Sequence, residues 1–331
     1  MDDRADFWED VALVAEYPYQ FGGAQRLLAT LAKKLDKEIY LLDTDASEAL
    51  IWDQRATLGL PPEEIALSVV VDGREFRRLP SKRNVKICHS KASLERHAEK
   101  EAARATTWLT HRERPYRYWK QRGFDITLVP DGYIPYDHER LKYRSNKKDQ
   151  AVFISRISEE KRPRSACEAA QSTDIPLVMA GSWDATELVR ELRSDYPAVH
   201  FPEPQQNRHV SLNQRNGFLE ESKLLVHGST GGMRDYLEYA ILDGMLYGCV
   251  PVCITPDEDQ FSIVRSRGLG KVVRDEDSLS EAMNHALNNY HEHLENVKDF
   301  MREFLAEQPS LMRRWEATLR EVIEDRDMRA P

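Results

Sequence analysis

Short apolar segments that are typical of buried strands alternate with helical segments along most of the 331-residue chain. Strands separated by helices of this length favour right-handed, mostly parallel α/β sheets. In the first part of the chain, strands are predicted at residues 11–15, 38–42, 68–71, 85–88, 107–110 and 126–129. A ligand site in such a sheet lies beyond the carboxyl ends of the strands. We therefore expect one rim of the sheet to carry Gly22, Gly23, His89 and Asp131.

A polar and charged segment, residues 133–150, interrupts this alternation and is interpreted as a linker. After it, strands are predicted at residues 151–155, 176–180, 199–201, 224–228, 250–254 and 271–273. The chain is predicted to finish with two separate helices, over residues 293–307 and from residue 310 onward. The predicted architecture is two doubly wound, Rossmann-like domains facing across a cleft. They cover residues 1–145 with the terminal helix 309–331, and residues 150–308, and the cleft is the default active site.

The composition is that of a soluble globular protein, with 41% hydrophobic and 31% charged residues. No run of about 18 apolar residues occurs, so no segment is predicted to span a membrane. The acidic N-terminal residues lack the apolar core of a signal peptide. The four cysteines are scattered, and three fall in apolar patterns, which indicates buried thiols in a reducing compartment. These features predict a cytoplasmic protein.

The segment from residue 224 to 254 carries the clearest candidate site. It contains an apolar strand (LLVHG), a glycine loop (STGG), a predicted helix with three carboxylates, and a second apolar strand (VPVCI). A strand, a glycine loop and a helix N-terminus can together hold an anion. Asp235 and Asp243 are eight residues apart, just over two helical turns, so both can face one cleft, and Glu238 lies between them. From these residues alone, an ordinary βαβ unit with acids on its solvated face is an equal alternative.

Three other motifs have both a functional and a structural interpretation. Gly22 and Gly23 in FGGAQ allow a ligand to approach the backbone closely, but such a pair also suits an ordinary turn. Arg156 and Lys161 follow the strand AVFIS and suit a diphosphate, although they also fit a solvated basic loop. His89 directly follows the strand VKIC, where a histidine either contacts a substrate or caps the local structure.

The order of these motifs resembles the GT-B glycosyltransferases, and more narrowly the retaining glycosyltransferase family 4, over nearly the whole chain. FGGAQ is similar to the family's GG-x-E loop, VKICHS to its active-site histidine strand, and FISRISEEKRP to its GR-x4-K segment. PLVMAGSWD resembles the L-x-I-x-G-x-G strand, and DYLEYAILDGMLYGCVPV resembles the E-x7-E-A-M-A-x-G-x-PV motif, here with D-x7-D. Gln25, Asp131 and Ser155 replace the usual glutamate, asparagine and glycine.

The resemblance implies a nucleotide-sugar-dependent glycosyltransferase, hexosyltransferase-like and retaining, that needs no metal and no cofactor besides its UDP- or GDP-sugar donor. Arg156 and Lys161 would bind the donor's diphosphate, and Asp243 would bind its ribose. Asp235, or Glu238 in its place, would lie near the donor sugar. The remaining donor contacts that the resemblance implies are His89, Gly22, Gly23, Gly181 and Ser182.

Residues 73–122 carry 15 Lys and Arg against 5 Asp and Glu, although the whole chain has a net charge of −9. This basic region contains the aromatic residues Phe76, Trp108, Tyr116, Tyr118 and Trp119. In the family the N-terminal domain binds the acceptor, so the region predicts an anionic acceptor: a lipid, a glycan, or a modified nucleic-acid base stacked on the aromatic rings. Peripheral membrane or nucleic-acid contact through this region is therefore a partner hypothesis. Evenly solvated helix-face charges are the alternative.

Two other functions stay open. A GT-B-shaped nucleotide- or glycan-binding protein that has lost catalysis is suggested by the glutamate-to-aspartate replacements, and it would not hydrolyse a donor even slowly. A GT-B sugar-nucleotide epimerase would release an epimer of the sugar without any acceptor. A phosphorylase would need a cofactor-bearing lysine in the C-terminal domain, for which the sequence gives no signal. The donor sugar, its nucleotide and the acceptor are left open.

Overall fold

The computed structural model describes residues 11–15, 23–41, 50–51, 54–58, 67–71, 83–87, 107–110, 113–124, 126–129, 136, 138–183, 185–204, 210–230 and 237–327. The chain divides into two compact units. Unit 1 comprises residues 1–137 and 307–331, and unit 2 comprises residues 138–306. Each unit is built on a mainly parallel sheet with helices, which confirms the predicted α/β fold class.

The described residues of unit 1 form an eight-stranded sheet in the order β3-β4-β2-β1-β5-β6-β7-β8. In chain order the elements are β1 (Val11–Ala15), α1 (Gly23–Leu35), β2 (Ile39–Leu41), β3 (Leu50–Ile51), β4 (Gln54–Leu58), β5 (Leu67–Val71), β6 (Arg83–Ile87), β7 (Thr107–Thr110), α2 (Glu113–Lys120) and β8 (Ile126–Leu128). Neighbouring strands are parallel except β3 and β4, which are antiparallel. Sequence patterning missed β3 and β4 because β3 is two residues long and QRATL in β4 is not an apolar run.

The described residues of unit 2 form a five-stranded, parallel sheet in the order β10-β9-β11-β12-β13. A short 3-10 helix over Glu159–Lys161 follows the first strand. The other elements, in chain order, are β9 (Lys148–Phe153), α3 (Pro163–Thr173), β10 (Leu177–Met179), α4 (Thr186–Asp195), α5 (Leu212–Glu221), β11 (Ser222–Gly228), α6 (Tyr239–Leu246), β12 (Val250–Ile254), α7 (Ser262–Ser266), β13 (Lys271–Val273), α8 (Leu279–Asn288) and α9 (Tyr290–Asp327).

Strand β12 and the C-terminal parts of β9 and β11 are buried on both faces, which explains their nearly continuous apolar sequences. All five residues of β12 are buried, and so are Phe153 of β9 and Leu224 of β11. Helices α3, α4 and α8 supply the apolar side chains that pack against them. This core fixes the strands whose carboxyl ends carry the candidate site.

Two sequence-based predictions about unit 2 and the end of the chain are wrong. Residues 199–201 do not form a strand, because His200 makes an isolated bridge with Val178 and no ladder follows. The two separate helices predicted at the end are one helix, α9, which continues through Pro309. The reason is an unbroken buried stripe at helical spacing on either side of the proline: Val297, Met301, Phe304, Gln308, Leu311, Trp315 and Leu319. Burial of this stripe outweighs the proline's cost of about 3 kcal/mol in a helix interior.

No helix in the described part of the chain has both the length and the apolar character that crossing a membrane requires.

Close backbone packing at the end of β10 depends on a glycine. A Cβ atom at Gly181 would overlap the carbonyl group of Ser155 in the neighbouring segment after β9. The segments are also joined by two hydrogen bonds of 2.8 Å, from the Ala180 amide to the Phe153 carbonyl and from the Ile157 amide to the Ser182 carbonyl. Because the obstruction is backbone, it cannot be relieved by a change of rotamer.

We expect Gly181→Ala to lower the free energy of unfolding by about 2 kcal/mol, the usual cost of forcing an extra methyl group into a packed site. Gly217→Ala is the matched control, because Gly217 lies in α5 and a Cβ there meets no atom within 4 Å. We expect that control to gain about 0.5 kcal/mol, since alanine is the better helix former. Urea unfolding of both variants measures the difference, and equal effects would contradict the packing argument.

Candidate functional site

The loop after β9 places Arg156 and Lys161 beyond the carboxyl end of the unit 2 sheet. Its first part, Ser155 to Ile157, packs against Gly181 and Ser182 through the backbone contacts described above. Two residues that sequence analysis assigned to the donor site therefore lie directly against the loop that carries the cations. Ser155 and Ser182 are both buried there.

The second part of the loop, the 3-10 helix Glu159–Lys161, packs on the end of β11. A Cβ atom at Gly228 would overlap the carbonyl oxygen of Lys161. The Thr230 amide donates to the Glu160 carbonyl at 2.9 Å, which ties the chain after β11 to the same turn. Because of this close packing, Lys161 is 4% exposed although it lies in a loop.

Lys161 belongs to a buried polar cluster that also contains Glu238, His227 and Ser155. The Lys161 Nζ atom donates to Glu238 Oε2 at 2.5 Å. The same Oε2 atom lies 3.4 Å from Nε2 of His227. On the other side of the ring, His227 Nδ1 is 2.8 Å from the Ser155 hydroxyl. The cluster joins three segments that are far apart in sequence: the end of β9, the end of β11 and the residue before α6.

His227 is the residue of this cluster that sequence reasoning missed. It lies in the predicted strand LLVHG, where it is the one polar side chain among apolar neighbours. Its side chain is fully buried, and its ring packs edge-on against Phe261, with centroids 5.4 Å apart. The signal that could have found it is Ser155, since a hydroxyl at a position where glycine is usual calls for a polar partner.

Arg156, the second predicted diphosphate ligand, is about half exposed and forms an ion pair with Glu160. The two residues are four apart in sequence and lie on the same loop. Surface ion pairs of this kind contribute roughly 0–1 kcal/mol, so an incoming ligand loses little by replacing it.

Asp243 lies in α6 and forms a buried ion pair with Arg215 of α5. The exposed fractions of the two side chains are 2% and 13%. Gly244 lets α6 approach β11 closely, because a Cβ atom there would meet the Leu225 side chain at 2.6 Å. The carboxylate predicted to bind ribose is thus held in the interior of unit 2 by a guanidinium.

The helix predicted to carry all three carboxylates is shorter than expected. It begins at Tyr239, and Glu238 precedes it with an extended backbone, φ −66° and ψ 153°. The helix therefore carries Asp243 but not Glu238, so the prediction of one helix with all three carboxylates is wrong. The extended conformation directs Glu238 to Lys161 instead of onto the helix with Asp243. Gly23, another predicted donor contact, is the first residue of α1.

Several predicted residues lie outside the described part of the chain, namely Gly22, Phe76, His89, Asp131 and Asp235. In the basic region, the stacking role proposed for two aromatic residues is wrong, because Trp108 and Trp119 are 4% and 3% exposed. Both belong to a hydrophobic cluster with Ile126, and Tyr116 and Tyr118 are partly buried against it. Rings as deeply buried as those of Trp108 and Trp119 cannot stack on an extruded base.

The described cysteines are buried free thiols: Cys167, Cys249 and Cys253. Burial raises the pKa of Cys167 to about 12. Burial also raises the pKa of Cys253, and the negative charge of Glu238 adds to that shift. In the described residues, no group of three or more His, Cys, Asp or Glu side chains could hold a metal ion.

No family model and no curated protein matches the sequence. Solved structures do match along nearly the full chain. The structure of Anabaena HepE in complex with UDP and glucose aligns with a TM-score of 0.67 and 14% identity, covering 94% of this chain and 99% of that one.

Two further solved structures agree with this result. AviGT4, a glycosyltransferase involved in avilamycin A biosynthesis, has a TM-score of 0.58 at 18% identity, with 95% and 97% of the two chains covered. WaaG, a glycosyltransferase involved in lipopolysaccharide biosynthesis, has a TM-score of 0.61 at 13% identity, with 95% and 99% covered. The fold is GT-B. At these identities the likeness shows the fold, and the chemistry must be argued from the side chains.

The buried pair Arg215 and Asp243 gives a stability prediction. We expect Asp243→Asn to lower the free energy of unfolding by about 3 kcal/mol, because removing one charge of a buried pair leaves the other poorly compensated. Adding Arg215→Met should restore part of the loss, so the double variant loses less than the sum of the single variants.

The control for that cycle is Glu203→Gln, which removes a carboxylate from the exposed pair with Arg193, where the exposed fractions are 43% and 70%. We expect its effect to stay within about 0.5 kcal/mol. Denaturant unfolding of Asp243→Asn, Arg215→Met, the double variant and the Glu203→Gln control measures the four changes in free energy. If the losses at Asp243 and Arg215 simply add, the two side chains are not coupled.

Proposed function

We propose that this protein transfers a glycosyl group from a nucleotide-sugar donor to an acceptor hydroxyl, with retention of configuration and without a metal ion. The observation that carries the proposal is the loop after β9, which holds Lys161 and Arg156 beyond the carboxyl ends of a parallel sheet. This is where α/β sheets bind nucleotides. The relative HepE, which has the same fold, was solved with UDP and glucose bound, and this supports a UDP- or GDP-sugar as the donor class.

The two cations suit the chemistry of glycosyl transfer. When the bond between the anomeric carbon and the donor's diphosphate breaks, negative charge develops on the departing diphosphate. Lys161, nearly buried, acts on that charge through a medium of low dielectric constant, where its effect is larger than in water. Arg156 adds a planar fork that binds two phosphate oxygens at once. Together they supply the positive charge that a metal ion provides in other enzymes.

Asp243 is proposed to bind the donor's ribose together with Arg215. A carboxylate accepts several hydrogen bonds, so it can contact the guanidinium and a ribose hydroxyl at the same time. The ion pair with Arg215 fixes the direction of this short side chain. The roles near the donor sugar proposed for His89 and Asp235, and for Gly22 and Gly23, rest on the sequence resemblance.

The acceptor is proposed to be anionic, because unit 1 contains the strongly basic region of residues 73–122. In its described part, Arg117, Lys120 and Arg122 are exposed. Because Trp108 and Trp119 are buried, we favour an anionic glycan or a lipid headgroup over a stacked nucleic-acid base as the acceptor. Such an acceptor suits a cytoplasmic protein that works at a membrane surface.

A binding assay tests the proposed donor site. We expect UDP or GDP to bind the unmodified protein in calorimetry, and Lys161→Ala to weaken that binding at least tenfold because it removes the charge that contacts the diphosphate. The same change should lower kcat/KM for the donor about 100-fold, the usual cost of losing one group that stabilises developing charge. Arg156→Ala should act in the same direction with a smaller effect.

Arg164→Ala is the matched control, because Arg164 lies three residues from Lys161 but pairs with Glu191 and Asp195 on α4. The nucleotide affinity of Arg164→Ala should stay within about twofold of that of the unmodified protein. The proposal fails if neither nucleoside diphosphate binds, or if the Lys161 and Arg156 variants bind as the control does. A catalytically inactive binding protein would bind the nucleotide without hydrolysing any donor. NMR of the anomeric product and assays with EDTA test retention and metal independence.

A further inference from the structure

Lys161, the buried cation proposed to bind the donor's diphosphate, is already paired with a carboxylate of the protein itself. Lys161 donates to Glu238 at 2.5 Å, and the exposed fractions of the two side chains are 5% and 19%. Arg156 is likewise paired with Glu160. An entering diphosphate therefore meets cations that are in contact with acidic side chains, and it carries the same sign of charge as those side chains.

Glu238 and a phosphate cannot both keep Lys161 at hydrogen-bonding distance without strong repulsion. They would be two anions a few ångströms apart in a site that is largely shielded from water, where such repulsion is poorly screened. Movement of one of them away from Lys161 relieves this repulsion. Glu238 is the mobile partner, since it precedes α6 with an extended backbone and its side chain can swing without unwinding a helical turn.

His227 offers a place for the displaced carboxylate. Its Nε2 atom is 3.4 Å from Glu238 Oε2, slightly too far for a good hydrogen bond in this state. The ring is held by the Ser155 hydroxyl at Nδ1 and by the edge contact with Phe261. With a proton on Nε2, a small movement of Glu238 away from Lys161 would complete a hydrogen bond to His227.

We propose that Glu238 is an internal substitute for the donor's diphosphate: it holds Lys161 in place in the unliganded protein, and the donor displaces it towards His227. This rests on the proposed function, in that Lys161 binds the diphosphate, but it changes the role of Glu238. The sequence resemblance would make Glu238 a ligand of the donor. The geometry makes it a competitor of the donor for one lysine.

The two roles predict opposite effects of Glu238→Gln. As a competitor, Glu238 weakens diphosphate binding, so its neutral variant should bind UDP about tenfold more tightly, which corresponds to about 1.4 kcal/mol. The variant should also melt at a lower temperature without ligand, because Lys161 loses a charged partner, and should gain a larger thermal shift with UDP. The UDP affinity of Glu238→Asp, whose shorter side chain reaches less far towards Lys161, should lie between those of the unmodified protein and Glu238→Gln. This variant also covers the case in which Glu238→Gln does not fold.

The control is Glu276→Gln, which neutralises a carboxylate paired at 3.1 Å with Arg162, the residue next to Lys161. Its affinity for UDP should not change by more than about twofold, since that carboxylate is half exposed and screened. If Glu238→Gln and Glu276→Gln both bound UDP more tightly than the unmodified protein, the affinity would depend on net charge and not on the contact with Lys161. This result would overturn the proposal.

His227 variants test the second half of the inference. His227→Leu removes the group that accepts the displaced carboxylate, so UDP should bind several-fold more weakly than to the unmodified protein. His227→Gln keeps an amide donor close to the Nε2 position and should restore most of the affinity. A merely structural role for His227 would lower the melting temperature of both variants without this difference in UDP affinity.

Calorimetry with UDP and with inorganic pyrophosphate separates this inference from the proposed function. If UDP binds and Lys161→Ala abolishes binding, but Glu238→Gln binds no more tightly, the proposed function stands and the inference fails. If pyrophosphate binds more tightly to Glu238→Gln and no nucleotide binds at all, the inference stands and the proposed function fails. If neither probe binds the unmodified protein or Glu238→Gln, no anion displaces Glu238, and both fail.

Discussion

Close backbone contact between the loop after β9 and the ends of β10 and β11 is the constraint on which the candidate site depends. Gly181 admits the Ser155 carbonyl, and Gly228 admits the Lys161 carbonyl. These are contacts between main-chain atoms, so they hold the loop without help from long side chains, whose ordering would cost entropy. A lysine on such a loop can be almost fully buried and still lie at the edge of the sheet where a ligand arrives.

Buried charges in unit 2 serve two different purposes. The ammonium of Lys147 contacts the carbonyl oxygens of Leu219 and Ser222 at 2.5 and 2.6 Å, at the end of α5, where helix carbonyls lack partners within the helix. Burial lowers the pKa of Lys147. Besides the two carbonyl oxygens, its ammonium contacts the buried Cys249 Sγ atom at 3.5 Å. Lys161 instead contacts a carboxylate on a non-helical residue, which can move. The first arrangement ties the end of α5 to the start of β11, and the second is the contact that we propose the donor replaces.

The GT-B fold is shared with glycosyltransferases at 13–18% identity, so very different sequences build the same backbone. On this backbone the described part of the chain carries the cluster of Ser155, His227, Glu238 and Lys161, together with the Arg215–Asp243 pair. A serine at the end of β9 is supported by a histidine at the end of β11. A fold of this kind hosts many activities, so the fold alone does not specify the reaction.

The sequence by itself determined the α/β alternation and the bounds of β1, β7, β12 and β13. Apolar runs identify β1 and β12, because strands buried on both faces need continuous apolar residues. It also placed Arg156 and Lys161 on one loop after a strand. The sequence did not reveal β4, whose residues QRATL lack that pattern, or the continuity of α9 through Pro309, which depends on a buried stripe. The start of α6, and with it the contact between Glu238 and Lys161, was decided by the tertiary structure. The tertiary structure also decided the contact between Ser155 and His227, which are 72 residues apart. Sequence periodicity reports local burial, and residues so far apart in sequence meet only when their strands pack side by side.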